Sequence, residues 1–405
     1  MPVPPRRTLE PLAVPPGERV LDLLPALAAA LAGRGPALHP HARGTAPHPA
    51  LAPGGPLADG EDDEQDPTAF VVATSGSTGN PKGALLPVGA LTASADATRD
   101  RLGGPGRWVL ALPAQHVAGL QVLLRSVQDG TEPVVLPAGP FSPAAFTAAT
   151  GACEHPRRYT SLVPTQLLRL LDAGAGPTAA LAAYDAVLVG AAATPAPLLA
   201  RARAAGVRVV TTYGSSETCG GCVYDGHPLA GVRAGVRDGR LSLTGPVVAR
   251  GYRGRPGHPA FTTSPGAAGR TFCTDDSAVL GPDGSVAVTG RVDDLITTGG
   301  LKVAPVLVEE ALLGVPGVAE AVVVGVEDPE WGQRVVAAVV PGPGRTPALE
   351  DLRRAVAAAL APHAAPRQLL LLAELPLRGP GKPDRRRIAD LAAQHGEVAA
   401  GLTEG

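Results

Sequence analysis

The sequence predicts an α/β fold: a large N-terminal domain with mainly parallel sheets covered by helices, a β-rich subdomain, and a small α+β C-terminal domain. Three observations carry that expectation. From residue 68, short apolar runs alternate with Ala/Leu-rich stretches of helical period, the pattern of strand–helix–strand units. After residue 230 the texture changes to short strands and turns. Of the 405 residues, 45% are hydrophobic, enough for a large buried core and two or three domains.

Residues 17–33, GERVLDLLPALAAALAG, place apolar side chains at helical spacing and end in Gly, which predicts a helix. Residues 34–67 are rich in Pro, Gly, Ala and His and close on the acidic run EDDEQD; they read as a surface loop or weakly structured segment. His39, His41 and His48 within it admit a metal-binding reading, but solvated loop histidines are favoured. TAFVVAT (68–74) reads as a buried strand. VLALP (109–113), PVVLP (133–137), YTSLVP (159–164), DAVLVG (185–190) and RVVTTYG (208–214) are expected as further strands of a mainly parallel sheet. GRLSLTGPVVARGYRG and GSVAVTGRVDD predict antiparallel β structure. GRVDDLITTGG (290–300) reads as a boundary between domains 1–291 and 292–405. Beyond it, 306–315 and 347–361 predict helices, EAVVVGVED, QRVVAAVVPG and 368–375 predict strands, and RGPGKPDRRRI reads as an exposed basic loop.

Lys+Arg of 35 against Asp+Glu of 37 leaves a net charge of −2, with no basic excess for a nucleic-acid backbone. No apolar run has the length of a membrane span, and the opening MPVPPRRTLEPLAVPP lacks the apolar block of a signal peptide. Four cysteines in so long a chain do not make a disulfide scaffold. A soluble cytoplasmic protein is therefore expected, without membrane or nucleic-acid partners; the oligomeric state stays open, a homodimer included.

Only three of the 35 basic residues are lysines: Lys82, Lys302 and Lys382. In a chain so rich in Arg, a retained lysine marks a place where a compact ammonium serves and a planar guanidinium does not. Lys82 closes the run Thr74-Ser75-Gly76-Ser77-Thr78-Gly79-Asn80-Pro81-Lys82-Gly83, directly after the strand at 68–74. Small residues let backbone N–H groups turn toward an anion, the hydroxyls add donors, and Lys82 adds a mobile charge. The run reads as a phosphate loop, though not the common P-loop motif, which has Gly immediately before the Lys.

TSGSTGNPKG resembles the signature of the adenylate-forming superfamily, which includes acyl-CoA synthetases, luciferases and peptide-synthetase adenylation domains. Further segments resemble that family's motifs in order. LPAQHVAG (112–119) resembles the segment that sets a His or aromatic, here His116, beside the substrate carboxylate. LVGAAATP (188–195) resembles the segment along the adenine, implicating Gly190, Ala191 and Ala192. TYGSSET (212–218) implies nucleotide contacts from Thr212, Tyr213, Gly214 and Ser216, with Glu217 at the Mg²⁺ position. FCTDDS (272–277) implies ribose binding by Asp276, with Asp275 in place of the family's Gly. GRVDD supplies Arg291 for ribose or phosphate and Asp293 at a hinge; PGKPDRRRI supplies Lys382 at the adenylation-lysine position.

The resemblance implies ATP, Mg²⁺ and coenzyme A as cofactors and co-substrates, a small-molecule acid as partner, and a mobile C-terminal domain. An acid is activated as acyl-adenylate and then passed to a thiol. Gly299 and Gly300 would face the thiol arm, and Lys302 is either a further contact or an incidental surface lysine. Residues 212–232 resemble the o-succinylbenzoate–CoA ligases of menaquinone biosynthesis, particularly their short actinobacterial form. Their benzoate donors are not legible, with the surroundings of His116 and residues 219–224 as candidates. A ligase for another aromatic or fatty acid is the alternative. A peptide-synthetase adenylation domain and a non-catalytic nucleotide-binding homologue are less favoured, the latter because Lys382 and Glu217 are both present. Cys219 and Cys222 form a lone CxxC, which reads as apolar pocket wall rather than a zinc or redox site.

Overall fold

The computed structural model describes residues 6–74, 82–263, 269–342, 344, 346–377 and 383–400, with side chains through Gln394. Ser75, Gly76, Ser77, Thr78, Gly79 and Lys382 lie outside the described residues.

The strands expected between 68 and 214 divide between two sheets. Thr68–Thr74 joins a four-stranded sheet with Leu9–Val14, Ala37–Ala42 and Lys82–Pro87. Its first three strands run parallel; the last returns antiparallel and sets Lys82 opposite Thr74. The other runs form a seven-stranded sheet: Val134–Val135, Arg107–Leu110, Arg158–Leu162, Ala186–Val189 and Val209–Ser215 are parallel. Gly220–Tyr224 and His227–Pro228 extend it antiparallel. Period-2 alternation feeds two cores. Trp108, Leu110, Ala186 and Leu188 face the helices Val88–Leu102 and Val117–Gln128. Val109, Leu162, Val187 and Val189 face the helices Pro143–Ala152, Pro164–Asp172, Ala175–Ala182 and Ala196–Ala204.

The loop expected over 34–67 is corrected. Ala37–Ala42 is a strand between two others, and Pro40 is tolerated in it. His39 is not solvated: it is 2% exposed, and its Nδ1–H donates to the Val71 carbonyl at 2.8 Å. Burial is the largest influence lowering its pKa, aided by His41 and His48 and opposed by the Val71 bond. The acidic run is anchored. Glu61 accepts from the backbone N–H of Gly254 at 2.5 Å and from Arg253, and Asp66 accepts from Gly89 N–H at 2.7 Å. The helix expected over 17–33 begins as a 3-10 turn, Gly17–Leu23, and continues as α-helix Leu24–Leu31.

The β-rich part is a four-stranded antiparallel sheet, in the order Arg233–Arg237, Arg240–Gly245, Arg270–Cys273, Phe261–Thr262, followed by the hairpin Asp276–Leu280 and Val286–Arg291. The turn Val292–Asp294 leads into a five-stranded sheet with two cores of its own. Helices Pro305–Leu313 and Leu349–Ala359 cover one face, through Val308, Leu312, Leu352 and Val356. Helix Arg385–Ala400 covers the other, through Ile388 and Ala392. The expected basic loop is therefore corrected at its end: Arg385 starts this helix and grips Glu309 with two hydrogen bonds, at 2.6 and 3.1 Å. Among the described residues, no helix is long and apolar enough to cross a membrane.

Candidate active site

The parallel strands end along one edge of the seven-stranded sheet, where ligands bind in open α/β sheets. Segment 111–116 follows Leu110, Gly190–Ala192 follows Val189, and Ser216–Glu217 follows Ser215. Gly190 packs directly on the next strand: a Cβ there would lie 2.9 Å from the Thr212 carbonyl oxygen. Ala191 holds a left-handed φ of 67°, an uncommon conformation for a residue with a Cβ. Gly214 is similarly constrained, since a Cβ would meet the carbonyl carbon of Gly220 at 2.7 Å.

Tyr213 and Asp276, 63 residues apart, meet: the phenol donates to Asp276 Oδ2 at 2.5 Å. Burial foremost, then the Asp276 charge, pushes the Tyr213 pKa up, so the phenol stays a neutral donor. Burial also raises the Asp276 pKa, against the Tyr213 hydrogen bond and the charge of Arg291. Arg291 lies 4.0 Å from Asp276, 3.3 Å from Asp275 and 3.4 Å from Asp293. The charge added by Asp275 is thus countered, and Arg240 donates to it at 2.8 Å as well.

Glu217 sits in the turn Ser216–Thr218 and is 6% exposed. Tyr252, 3% exposed, donates its phenol to Glu217 Oε1 at 2.7 Å. The Lys82 ammonium lies over the same ring, 5.0 Å from its centroid. Among the described residues no ion pair neutralises Glu217. A buried carboxylate with one oxygen held by a phenol and, among the described residues, no ion-pair partner fits a hard divalent cation. Tyr252 was missed in the sequence, where GRLSLTGPVVARGYRG was read only as antiparallel β structure. Its segment runs beside the strand Lys82–Pro87, with Arg253 N–H donating to Gly83 at 2.8 Å and Leu85 N–H to Gly251 at 2.9 Å.

His116 is exposed and immediately precedes helix Val117–Gln128. Gln121 on that helix donates to the Cys219 carbonyl at 2.5 Å, so the helix packs against segment 219–221. Cys219 and Cys222 are buried and free, and burial pushes the Cys222 thiol up to about 12. Among the described residues, no group of three or more His, Cys, Asp or Glu is arranged to hold a metal. Gly299 and Gly300 form the left-handed tip of the hairpin Ile296–Thr298 and Leu301–Val303. Gly299 N–H donates to Trp331 at 2.9 Å within the small domain, and Lys302 is exposed.

Residues 27–253 match the AMP-binding enzyme family and residues 307–382 match the AMP-binding enzyme C-terminal domain. The chain is 49% identical to the probable 2-succinylbenzoate–CoA ligase of Mycobacterium tuberculosis strain H37Rv, over 95% of this chain and 99% of that one. It resembles the o-succinylbenzoate CoA synthetase (MenE) of Bacillus subtilis in complex with the acyl-adenylate OSB-AMP. That match has 30% identity and a TM-score of 0.69 over 80% of this chain and 69% of that one. The same enzyme with ATP and magnesium ion aligns at 26% identity and a TM-score of 0.76, over 94% of this chain and 89% of that one. The nucleotide-type edge of the sheet, the signature segments along it and these likenesses agree, and the chain belongs to the AMP-binding enzyme family of adenylate-forming ligases.

Proposed function

We propose that the chain is an ATP-dependent o-succinylbenzoate–CoA ligase that works through an acyl-adenylate. The near-full-length likeness to the mycobacterial ligase carries this reading. The meeting of Glu217, Tyr252 and Lys82 on one side and of Tyr213, Asp276 and Arg291 on the other supports it.

A carboxylate is a poor electrophile because its leaving group would be oxide. In the first step the ionised succinyl carboxylate attacks the α-phosphorus of ATP; the P–O bond to pyrophosphate breaks, and acyl-AMP forms. The nucleophile is already charged, so no general base is required. The obstacles are repulsion between anions and charge growing on phosphate oxygens, which positioned cations and donors relieve. We assign Lys382 to bridge the substrate carboxylate and the phosphate, and Thr74 with Ser75–Lys82 to hold the outer phosphates. Tyr213, with Gly190–Ala192, Thr212, Gly214 and Ser216, lines the adenine, and Asp276 with Arg291 takes the ribose. Glu217 would hold a magnesium ion, which would supply charge neutralisation to the phosphates. His116 orients the acid.

In the second step the coenzyme A thiol loses its proton, its sulfur bonds to the acyl carbon, and AMP leaves. We assign 1–291 and 292–405 as the two working units, turning about Asp293 so that Gly299 and Gly300 approach the thiol arm in place of Lys382. The test is pyrophosphate release with o-succinylbenzoate against benzoate, succinate and medium-chain acids, with and without coenzyme A. Preference for benzoate or a fatty acid overturns the substrate assignment. Lys382→Ala is expected to abolish adenylate formation and spare thioester formation from preformed acyl-adenylate; equal loss of both refutes that division.

A further inference from the structure

Arg240 opens the strand Arg240–Gly245, directly after a two-residue loop, Asp238-Gly239, with left-handed φ values of 51° and 74°. Its Nη1 donates to Asp275 Oδ1 at 2.8 Å, and its Nη2 lies 3.6 Å from Asp293 Oδ1. Arg291 takes the other oxygen of each carboxylate, with Nη2 3.3 Å from Asp275 Oδ2 and 3.4 Å from Asp293 Oδ2. Two guanidiniums therefore bracket two carboxylates in alternating charge. Asp275 also accepts through its backbone, from Val292 N–H at 2.8 Å.

Asp275 stands where the adenylate-forming pattern has Gly, and an added anion beside Asp276 would be unfavourable alone. Arg240 supplies the counter-charge and also reaches Asp293, in the turn between the large and small cores. Arg240 and Asp275 both belong to the large unit and stay paired; a turn that displaces the Asp293 side chain would part it from Arg240, 3.6 Å away. The ATP and magnesium complex of the Bacillus enzyme aligns over 94% of this chain with a TM-score of 0.76.

We propose that Arg240, positioned by Asp275, latches onto Asp293 and so keeps the small domain in the pose of the adenylating step. Arg240 is a positioning residue in this scheme and touches no substrate. The side chains of Arg240, Asp275 and Asp293 are 32%, 47% and 47% exposed, so the latch is weak. It biases the pose about fivefold, or about 1 kcal/mol at 1.4 kcal/mol per factor of ten, and opens on every turnover.

This inference rests on the two-step function proposed above. Its test is Arg240→Gln, assayed separately for ATP–pyrophosphate exchange without coenzyme A and for thioester formation from synthetic o-succinylbenzoyl-adenylate. Exchange is expected to fall by up to about fivefold, with KM for ATP unchanged, while the thioester step holds or quickens. Asp275→Gly should do the same, the double variant should be no worse than either single one, and Arg240→Lys should retain most of the exchange. A parallel fall in both half-reactions, or no change in their ratio, overturns the latch while the two-step function stands. Absence of exchange in the parent protein with every acid overturns both.

Discussion

Replacing Tyr252 with Phe removes one oxygen and leaves the ring in place. The lost hydrogen bond is short, at 2.7 Å, ends on a charged carboxylate, and lies between residues 3% and 6% exposed. Hydrogen bonds to charged groups contribute about 1.5–3 kcal/mol, and here the deletion also leaves Glu217 Oε1 buried without that donor. A loss of about 2 kcal/mol follows, which lowers Tm by about 3 °C in a unit of this size. Thermal unfolding followed by circular dichroism reads the shift directly. A magnesium titration of pyrophosphate exchange reads the orientation of Glu217, and the Phe variant should need more magnesium for half-maximal rate. Tyr252→Leu should weaken ATP binding further, because Lys82 then loses the ring beneath it. A Phe variant with parental Tm and parental magnesium dependence would refute the role given to the phenol.

Two further predictions concern parts of the fold that position the site. The His39 pKa lies below its ordinary 6.5, so in acid the unfolded chain binds a proton that the folded one does not. Stability is therefore full above pH 6.5 and falls as pH drops below it; urea midpoints at pH 7.5, 6.0 and 5.0 should show this, and His39→Gln should flatten the acid limb. Gly214→Ala would drive a Cβ into the backbone of Gly220 and Gly221, at 2.7 Å from the carbonyl carbon of one and the Cα of the other. Neither neighbour is a flexible side-chain end, so a cost of about 3 kcal/mol and loss of nucleotide binding are expected. Parental stability of that variant by urea unfolding would show that the strand pair can separate.

The strands of the seven-stranded sheet were legible because buried parallel strands read as continuous apolar runs between helices, as in DAVLVG. The strand Ala37–Ala42 was not. Pro40 and two histidines mimic a loop, and only its position between two other strands makes them a sheet element. The candidate site residues were proposed from their order along the chain, which gave no sign of the side chains that meet them. Tyr252 reaches Glu217 across 35 residues, and Arg240 reaches Asp275 across 35. Neither pairing leaves a local pattern, because a hydrogen bond between distant segments is set by the packing of whole sheets. Arg385 was misread for a different reason: three consecutive arginines look solvated, yet Ile388 and Ala392, one helical turn apart, carried the buried face.

The seven-stranded sheet has one more consequence. Val187 and Leu188 are consecutive residues but belong to opposite cores, and the same is true of Trp108 and Val109. Neither core can loosen without disturbing the strands it shares with the other. The two halves of the large part should therefore melt as one cooperative block, while the small part, with cores of its own, is free to melt at a different temperature. Slowest-exchanging amides should be shared by both faces of the central strands, and a tremor at the hinge need not reach them.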